Sequence, residues 1–518
     1  MSDIILSTLN ARYIHSSLGL RYLKANMDEL IDETLILEFI INNRPIDIAE
    51  SILKHNPKIV GFGLYIWNAE QTTQVVSLLK TIQPEIIVVI GGPEASFEHD
   101  KQKIVELADY VISGTADLAF AELCKTLLKN NKQDISFNCG STGIIKADPV
   151  PLPFLKLPYS FYSDEDVKNR VIYVEASRGC PFKCEFCLSS LDKTAWPFEL
   201  DLFLKEMETL YDRGVRDFKF IDRTFNLKIK SSIQILEFFL ERMDENLYLH
   251  FELIPDHLPE KLKNIIHKFP EGSLQFEIGV QTFNPEVQAL ISRKQDNEKS
   301  KNNIRWLREE SHAHLHTDII MGLPGESVES IASSFNQLIA LNPHEIQMGI
   351  LKRLRGTPLI RHTETYDMRY NPEAPYNILS TNLIDFHTMQ RLNRFARFWD
   401  MIANSGRFTY TLPIILGNDG FNRFIKLSDQ LFETSGQTYK ISLARLFEML
   451  FSILKDKLRI EENSVREVLW KDYLTSGLKG RPTFATLEMI KDRQLKLVTP
   501  EGDMPNRQAR HAKTLKNA

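Results

Sequence analysis

Three closely spaced cysteines are the part of this chain that points most directly to chemistry. They are Cys180, Cys184 and Cys187, in the run Arg-Gly-Cys-Pro-Phe-Lys-Cys-Glu-Phe-Cys. These spacings place three thiolates on one tight loop, and thiolates favour a soft metal centre. A zinc site or a closed iron–sulfur site needs a fourth ligand nearby, but the other cysteines, Cys124 and Cys139, stand alone far upstream. The triad therefore predicts a four-iron cluster with one iron open to a small molecule, with a structural zinc knuckle as the alternative.

The cysteine loop resembles the cluster loop of the radical S-adenosylmethionine (SAM) enzymes. The resemblance includes Arg178 and Gly179 before the cysteines, Pro181 after the first, and Phe186 ahead of the last. It implies a [4Fe–4S] cluster whose open iron chelates the amino and carboxylate groups of SAM. It also implies that an electron from the cluster cleaves SAM reductively to a 5′-deoxyadenosyl radical.

Composition is typical of a globular protein with large cores. The 518 residues, 43% hydrophobic and 25% charged, predict three domains rather than one. A net charge of −5 gives no basic field, so no nucleic-acid partner is expected. The first residues form a strand pattern without the basic segment of a signal peptide, and no apolar run reaches the length of a membrane span. We expect no membrane partner and a reducing, cytoplasmic location.

Residues 1–148 are predicted to form an α/β domain with a doubly wound, five-stranded parallel sheet, because short β-branched runs alternate with amphipathic stretches. Glycines follow three of the strands, at the edge where such sheets bind ligands. They are Gly61 and Gly63, Gly91 and Gly92, and Gly114. The predicted strands are Ile4–Leu6, Thr34–Phe39, Ile59–Gly63, Ile86–Ile90 and Tyr110–Ile112.

Repeated prolines predict a linker over residues 149–167. Residues 168–370 form a second βα series that fits a central partial (β/α)6 barrel, with chemistry expected at the carboxyl ends of the strands. Residues 371–518 are predicted to be a mainly helical domain with a frayed basic tail, since apolar residues recur at helical spacing from Leu443 to Leu454. The predicted barrel strands are Val171–Glu175, Asp217–Ile221, Tyr248–Leu253, Leu274–Val280, His314–Met321 and Glu345–Leu351.

The strand ends of the second series carry the groups that SAM requires. SAM bears amino, carboxylate and hydroxyl groups, so its site calls for carboxylates, a cation and glycine. Resemblance to radical SAM motifs implies that Asp222 meets the amino group, Glu277 lies near the ribose and Arg293 binds the carboxylate. Gly322 would lie beside the adenine. Each has an ordinary alternative: Asp222 could cap a helix, Arg293 could pair with a surface acid, and Gly322 could only form a turn.

An open sheet ahead of such a barrel resembles the cobalamin-binding subclass of radical SAM enzymes. The turn Gly91-Gly92-Pro93-Glu94-Ala95-Ser96 resembles the glycine turn of those domains. The resemblance implies bound cobalamin, with the glycine turns at Gly61–Gly63 and Gly91–Gly92 bordering the corrin. No Asp-x-His-x-x-Gly occurs, so no histidine ligand to cobalt is expected. The run Gly114-Thr115-Ala116-Asp117 departs from the Gly-Glu-Gly-Glu type turn of many relatives, and a generic α/β interaction domain is the alternative.

The predicted function is reductive cleavage of SAM at a [4Fe–4S] cluster, coupled to cobalamin-dependent methyl transfer to an unactivated centre. The expected partners are a small-molecule substrate and a low-potential electron donor. The alternatives are a cobalamin-free or non-methylating radical SAM enzyme, forming rings or rearranging its substrate, and a non-catalytic iron–sulfur protein. Methylthiolation is disfavoured because it needs a second cysteine triad, which Cys124 and Cys139 cannot supply. The whole chain also resembles a poorly characterised group of the subclass with a helical C-terminal extension.

Overall fold

The computed structural model describes residues 2–129 and 143–492, together with residues 507 and 510. The chain forms two compact units. Unit 1 comprises Met1–Phe225, Lys352–Arg361 and Asn371–Asn377. Unit 2 comprises Asn226–Leu351, His362–Tyr370 and Ile378–Ala518. Cys139 and most of the predicted basic tail lie outside the described residues, and the predicted domain borders stay predictions.

The first sheet of unit 1 is parallel, with the strand order β2-β1-β3-β4-β5-β6. All the predicted strands are present, and one more strand pairs in parallel with β5. This sixth strand was missed because a run of 4 residues beside a proline-rich segment is too short to separate from a linker. The strands are β1 (Ile4–Asn10), β2 (Thr34–Ile40), β3 (Ile59–Gly63), β4 (Ile87–Gly91), β5 (Tyr110–Gly114) and β6 (Ile144–Ala147).

Helices cover both faces of this sheet, which is why its strands read as continuous apolar runs. One buried cluster includes Ile5 of β1 and Val75 of a helix, and the cluster on the other face includes Leu6 and Phe120. The strand order reverses between β1 and β3, and such a switch point opens a crevice at the carboxyl ends of the strands. The helices are α1 (Leu18–Ala25), α2 (Pro45–Leu53), α3 (Ala69–Ile82), α4 (Lys103–Leu107) and α5 (Ala116–Leu128).

Unit 1 also contains the start of the second βα series. Its strands β7 (Ile172–Val174) and β10 (Asp217–Phe220) pair in parallel. The cysteine loop lies between them in sequence, inside a short antiparallel pair of strands. The remaining elements are α6 (Asp164–Asn169), β8 (Ser177–Arg178), β9 (Trp196–Pro197) and α7 (Leu200–Asp212).

Unit 2 contains the other strands of this series, in the order β14-β13-β12-β11 and all parallel. Their register places Glu277 beside His316 and His316 beside Glu345, so these polar side chains share one face. Phe276 and Leu315 pair on the other, apolar face. The elements are α8 (Ile229–Glu241), β11 (Tyr248–Leu253), α9 (Glu260–Ile266), β12 (Leu274–Gln281), α10 (Pro285–Leu290), α11 (Asn297–Glu310), β13 (His314–Met321), α12 (Val328–Leu341) and β14 (Glu345–Ile350).

The predicted helical extension is confirmed in unit 2. Its helix over residues 443–456 buries the predicted apolar stripe, including Leu446, Leu450 and Leu454. Among the described residues, no helix has both the length and the apolar character needed to cross a bilayer. The elements are β15 (Arg369–Tyr370), β16 (Ile378–Ser380), α13 (Phe386–Ile402), α14 (Leu412–Leu416), α15 (Gly420–Ser435), α16 (Leu443–Asp456), α17 (Glu462–Thr475) and α18 (Leu487–Asp492).

Candidate functional site

A cavity of about 620 Å³ lies at the carboxyl edge of the first sheet, within unit 1. This volume falls in the range of small-molecule and cofactor sites. All the predicted glycine turns contribute to its wall: Gly61 and Gly63, Gly91 and Gly92, and Gly114. The wall continues through residues around the cysteine loop, which include Glu175, Ser177, Arg178, Gly179, Leu188, Ser189 and Asp192. The structure therefore brings the glycine turns and the cysteine-loop region to one cavity.

Glycine is required in the cavity wall for two different reasons. Gly92 has a φ of +104°, and a Cβ atom there would lie 2.6 Å from the carbonyl oxygen of Leu64, so the backbone turn alone requires glycine. At Gly63 and Gly91 the nearest atoms to a Cβ would be 3.5 Å away, which is ordinary contact. The backbone packing would accept a Cβ atom at Gly63 or Gly91, so the second reason is space: glycine there leaves the cavity open to a large ligand.

The cysteine triad lies on a loop held by its own backbone. Cys180 and Cys184 are buried and Cys187 is half-buried. The Cys180 amide donates to the Asp192 carbonyl at 3.1 Å, and the Cys187 amide donates to the Cys184 carbonyl at 3.1 Å. Burial raises the pKa of Cys180, and the nearby Cys187 and Cys184 raise it further.

Three neighbouring thiols on an ordered loop fit an iron–sulfur cluster. Within the part of the chain that the structure describes, no three cysteine, histidine or acidic side chains converge on a single metal ion. A cluster does not require such convergence, because each thiolate binds a different iron. The role of the three cysteines as ligands stays a prediction.

Arg178 is a charged centre of the cavity wall, directly ahead of the cysteines. Its guanidinium donates to Glu175 at 2.6 Å and to Asp117 at 3.1 Å, and it lies 4.7 Å from the centroid of the Tyr22 ring. Asp117 belongs to α5, so Arg178 ties the start of the cysteine loop to a helix that packs on the first sheet. In the sequence Asp117 is recognisable only as part of an unusual turn, because no local pattern reveals a partner 61 residues away.

Asp222 follows β10 and has only 3% of its surface exposed. Its Oδ2 accepts a hydrogen bond from the Ala176 amide at 2.9 Å, and its Oδ1 accepts one from the Ser177 hydroxyl at 2.6 Å. Burial raises its pKa to about 7, although both hydrogen bonds oppose this shift. Asp222 therefore holds the residues that lead into the cysteine loop, while its contact with SAM stays a prediction.

The other predicted SAM contacts lie in unit 2. Glu277 of β12 has its Oε1 3.0 Å from Nε2 of His250 on β11. The Arg293 guanidinium donates to the Gly279 carbonyl and, at 2.8 Å, to Oε1 of Gln295. Glu277 and Arg293 are thus brought to the same strand, near its carboxyl end, and their roles in binding SAM stay predictions.

Gly322 follows β13 and has a φ of +91°. A Cβ atom there would lie 2.7 Å from the Ile378 side chain and 3.1 Å from Met389. Turn geometry and packing against the C-terminal region are therefore enough to require glycine at this position. The predicted contact with adenine is a further role that stays a prediction.

Two polar residues near the same strand ends, Gln281 and Glu326, were assigned no role from the sequence. Gln281 has a φ of +69° at an irregularity in the β12–β13 register. Glu326 accepts a hydrogen bond from the Thr282 hydroxyl at 2.6 Å, and burial raises its pKa to about 7. Among the described residues, Oε1 of Gln281 and Oε2 of Glu326 are buried without a hydrogen-bond partner, which makes them candidate ligand contacts. The sequence signal was their position, since Gln281 directly follows a predicted strand and Glu326 ends the glycine turn after the next one.

Three protein-family models match separate parts of the chain. They describe the radical SAM superfamily (residues 174–338), a B12 binding domain (residues 5–124) and a protein of unknown function, DUF4080 (residues 364–510). The B12-binding match contains the glycine turns, and the radical SAM match contains the cysteine loop. These matches confirm the predicted combination of the two domains.

Two curated proteins are similar to this chain over about two thirds of its length. An uncharacterized methyltransferase of Pyrococcus horikoshii, PH0819, is 26% identical over 360 residues, which are 66% of this chain and 77% of that protein. The cobalamin-dependent radical SAM methyltransferase TokK of Streptomyces tokunonensis is 22% identical over 365 residues, 64% of this chain and 52% of TokK. This chain thus spans about half the length of TokK.

A solved structure has a similar fold. It is the radical S-adenosylmethionine methyltransferase TsrM from Kitasatospora setae with cobalamin and a [4Fe–4S] cluster bound. The TM-score is 0.56 at 17% identity, and the match covers 70% of this chain and 75% of TsrM.

Proposed function

We propose that this chain, a member of the radical SAM superfamily with an N-terminal B12-binding domain, catalyses cobalamin-dependent methyl transfer to an unactivated centre. The observation that carries this proposal is the cavity of unit 1, whose wall includes both the glycine turns and the residues around the cysteine loop. When bound, the cluster supplies the electron for reductive cleavage of SAM, and cobalamin supplies the methyl group that is transferred.

The cavity wall suits a large, mostly apolar ring system with polar edges. Leu20, Val89 and Phe120 contribute apolar surface, which excludes water. Gly63 and Gly91 keep the edge of the sheet free of side chains, so a planar ring can approach the backbone closely. Among the described residues, those that line the cavity include no histidine, so we propose no histidine ligand to cobalt.

The remaining predicted residues have distinct proposed roles. The three cysteines would each hold one iron and leave the fourth iron to SAM. Arg293 would bind the SAM carboxylate through its guanidinium fork, and Glu277 would accept hydrogen bonds from hydroxyl groups of the ribose. Asp222, which already holds Ala176 and Ser177, would keep the cysteine loop in position.

The proposal is tested with anaerobic, cluster-loaded protein titrated with hydroxocobalamin and then passed through gel filtration. We expect wild-type protein to retain the corrin and Gly91→Leu to lose it, with sulfur-to-iron absorption unchanged. Gly480→Leu is a matched control, because a Cβ there would also lie 3.5 Å from its nearest atom and Gly480 does not line the cavity. With SAM and a strong reductant, the loaded enzyme should release both 5′-deoxyadenosine and S-adenosylhomocysteine.

The alternatives give different results in the same experiment. Formation of 5′-deoxyadenosine by protein that retains no corrin would indicate a cobalamin-free radical SAM enzyme. Intact SAM after incubation with reduced, cluster-loaded protein would indicate a non-catalytic iron–sulfur protein.

A further inference from the structure

The loop that follows β4 has one side in the cavity wall. We call residues 92–98 the β4 loop. Its residues Gly92, Pro93 and Ser96 line the cavity. The Ser96 hydroxyl donates to the Gly92 carbonyl at 2.9 Å and accepts from the Gly114 amide at 3.3 Å. The β4 loop therefore joins two glycine turns, and its conformation sets the shape of the cavity there.

Two acidic residues of the β4 loop, Glu94 and Glu98, are held by a network of side chains that is buried at Glu94 and half-buried at Glu98. Glu94, which is 4% exposed, accepts hydrogen bonds at 2.7 Å from Nε of Arg355 and at 2.7 Å from the Tyr376 hydroxyl. Arg355 also donates to that hydroxyl at 2.7 Å and to Glu98 at 3.2 Å. Arg353 donates to both oxygens of Glu98, at 2.7 and 3.0 Å. Two carboxylates and two guanidinium groups thus balance in charge and in hydrogen bonds, the condition for burying ion pairs without a large penalty.

The segments that carry these side chains are themselves braced. The Arg353 amide donates to the Tyr376 carbonyl at 3.1 Å. Gly356 has a φ of +78°, and a Cβ atom there would overlap the Phe97 ring of the β4 loop. Both segments belong to unit 1, although Arg355 lies 261 residues after Glu94 in the sequence.

The β4 loop needs this support because its own conformation is unfavourable. Glu98 has a φ of 54°, which is uncommon for a residue with a side chain, whereas glycine adopts the φ of 104° at position 92 without strain. Ordering a loop also costs conformational entropy in each of its residues. Without the network, only a fraction of the molecules would hold the β4 loop in the conformation that binds the ligand. The apparent affinity for the ligand would then fall by that fraction.

We propose that Arg355, Arg353 and Tyr376 are positioning residues for the cobalamin site, holding the β4 loop in its binding conformation from outside the cavity. This inference rests on the proposed function. It adds a role in cofactor retention for residues that follow the last barrel strand.

The test uses the full chain and two conservative variants. Arg355→Lys removes the guanidinium fork, and Tyr376→Phe removes the hydroxyl while keeping the ring. We expect the dissociation constant for hydroxocobalamin, measured by visible titration of cluster-loaded protein, to rise about tenfold in Arg355→Lys and severalfold in Tyr376→Phe. Without corrin, amide hydrogen exchange should accelerate in residues 92–98 and in the two segments that carry the substitutions, and not elsewhere in unit 1. Arg391→Lys is a matched control, because it removes an arginine fork that holds Asp429 at 2.7 Å in unit 2.

The outcomes separate this inference from the proposed function. If wild-type protein binds corrin and both variants bind it equally well, the positioning role is wrong and the proposed function stands. If exchange accelerates throughout unit 1, the network is only structural and the inference is again wrong. If wild-type protein binds no corrin, the proposed function fails and this inference fails with it.

Discussion

Replacing Asp222 with asparagine tests whether a buried carboxyl holds the residues ahead of the cysteine loop. The substitution keeps the shape of the side chain and removes its charge. An asparagine oxygen can still accept from the Ala176 amide, and its NH2 group can donate to the Ser177 oxygen. Both hydrogen bonds therefore have replacements, and the main change is the loss of a titratable group.

The expected effect on stability follows from the pKa of Asp222, which burial raises from 3.8 to about 7. The folded protein then binds this proton more tightly than the unfolded chain does. The contribution of Asp222 to stability is fully present below about pH 4, falls as the pH rises, and is lost above about pH 7. Three pKa units correspond to about 4 kcal/mol. We expect Asp222→Asn to be more stable than wild-type protein at pH 8, by up to about 4 kcal/mol, and the difference to vanish near pH 4.

The measurement is urea unfolding of cluster-free protein between pH 4.5 and 8, for wild type and variant in parallel. Other groups with raised pKa values, such as Glu326 at about 7, titrate in both proteins, so the difference isolates Asp222. Asp217→Asn is a useful comparison, because burial raises the pKa of Asp217 to about 6 and its effect should level off at lower pH. A difference between wild type and Asp222→Asn that does not change with pH would refute the reasoning.

Three further predictions concern the cofactor sites. Changing any one of the clustered cysteines to alanine should abolish sulfur-to-iron absorption. Cys124→Ala should not, because Cys124 is fully buried in the core of the N-terminal domain. Equal losses of absorption in all four variants would contradict the three-ligand site. Arg293→Lys should weaken SAM binding about 10- to 150-fold, which corresponds to the roughly 1.5–3 kcal/mol of a charge-assisted hydrogen bond, with the cluster spectrum intact. Unchanged affinity by equilibrium dialysis would exclude the assigned contact. Arg178→Met removes the cation that pairs with Asp117 and Glu175, which are both under 10% exposed. The melting temperature should therefore fall and corrin retention should weaken. A normal melting temperature would show that this ion-pair network adds no stability.

The sequence predicts those strands best that are buried on both faces of the sheet. Strand β3 was predicted with the observed bounds Ile59–Gly63, because a strand buried on both faces reads as an apolar run whatever its neighbours are. Strand β6 (Ile144–Ala147) was missed, since its identity depends on pairing with β5 rather than on a pattern of its own. Local composition therefore predicts the inner strands of a parallel sheet better than its edge.

The sequence predicts which residues belong to the candidate site, but not which contacts require each residue type there. Gly92 was predicted to border a ligand, and it does line the cavity, but the Leu64 carbonyl is what excludes any side chain there. The same holds for Asp117, whose partner Arg178 is distant in sequence. Motif spacing can show where a ligand is expected, whereas the contacts that fix each residue are set by tertiary structure.

The segment Lys352–Arg361 after β14 belongs to unit 1 in the structure, although it lies outside the residues matched by the radical SAM and B12-binding models. The B12-binding match ends at residue 124 and the radical SAM match at residue 338, so neither contains Arg355 or Tyr376. Both residues nevertheless belong to unit 1 and hold Glu94 of the β4 loop. A fragment cut at the end of the second match would keep the glycine turns and the cysteine loop but lose this network. We therefore expect tight cobalamin binding to require all of unit 1, including Lys352–Arg361 and Asn371–Asn377. The residues matched by the two family models would not be enough.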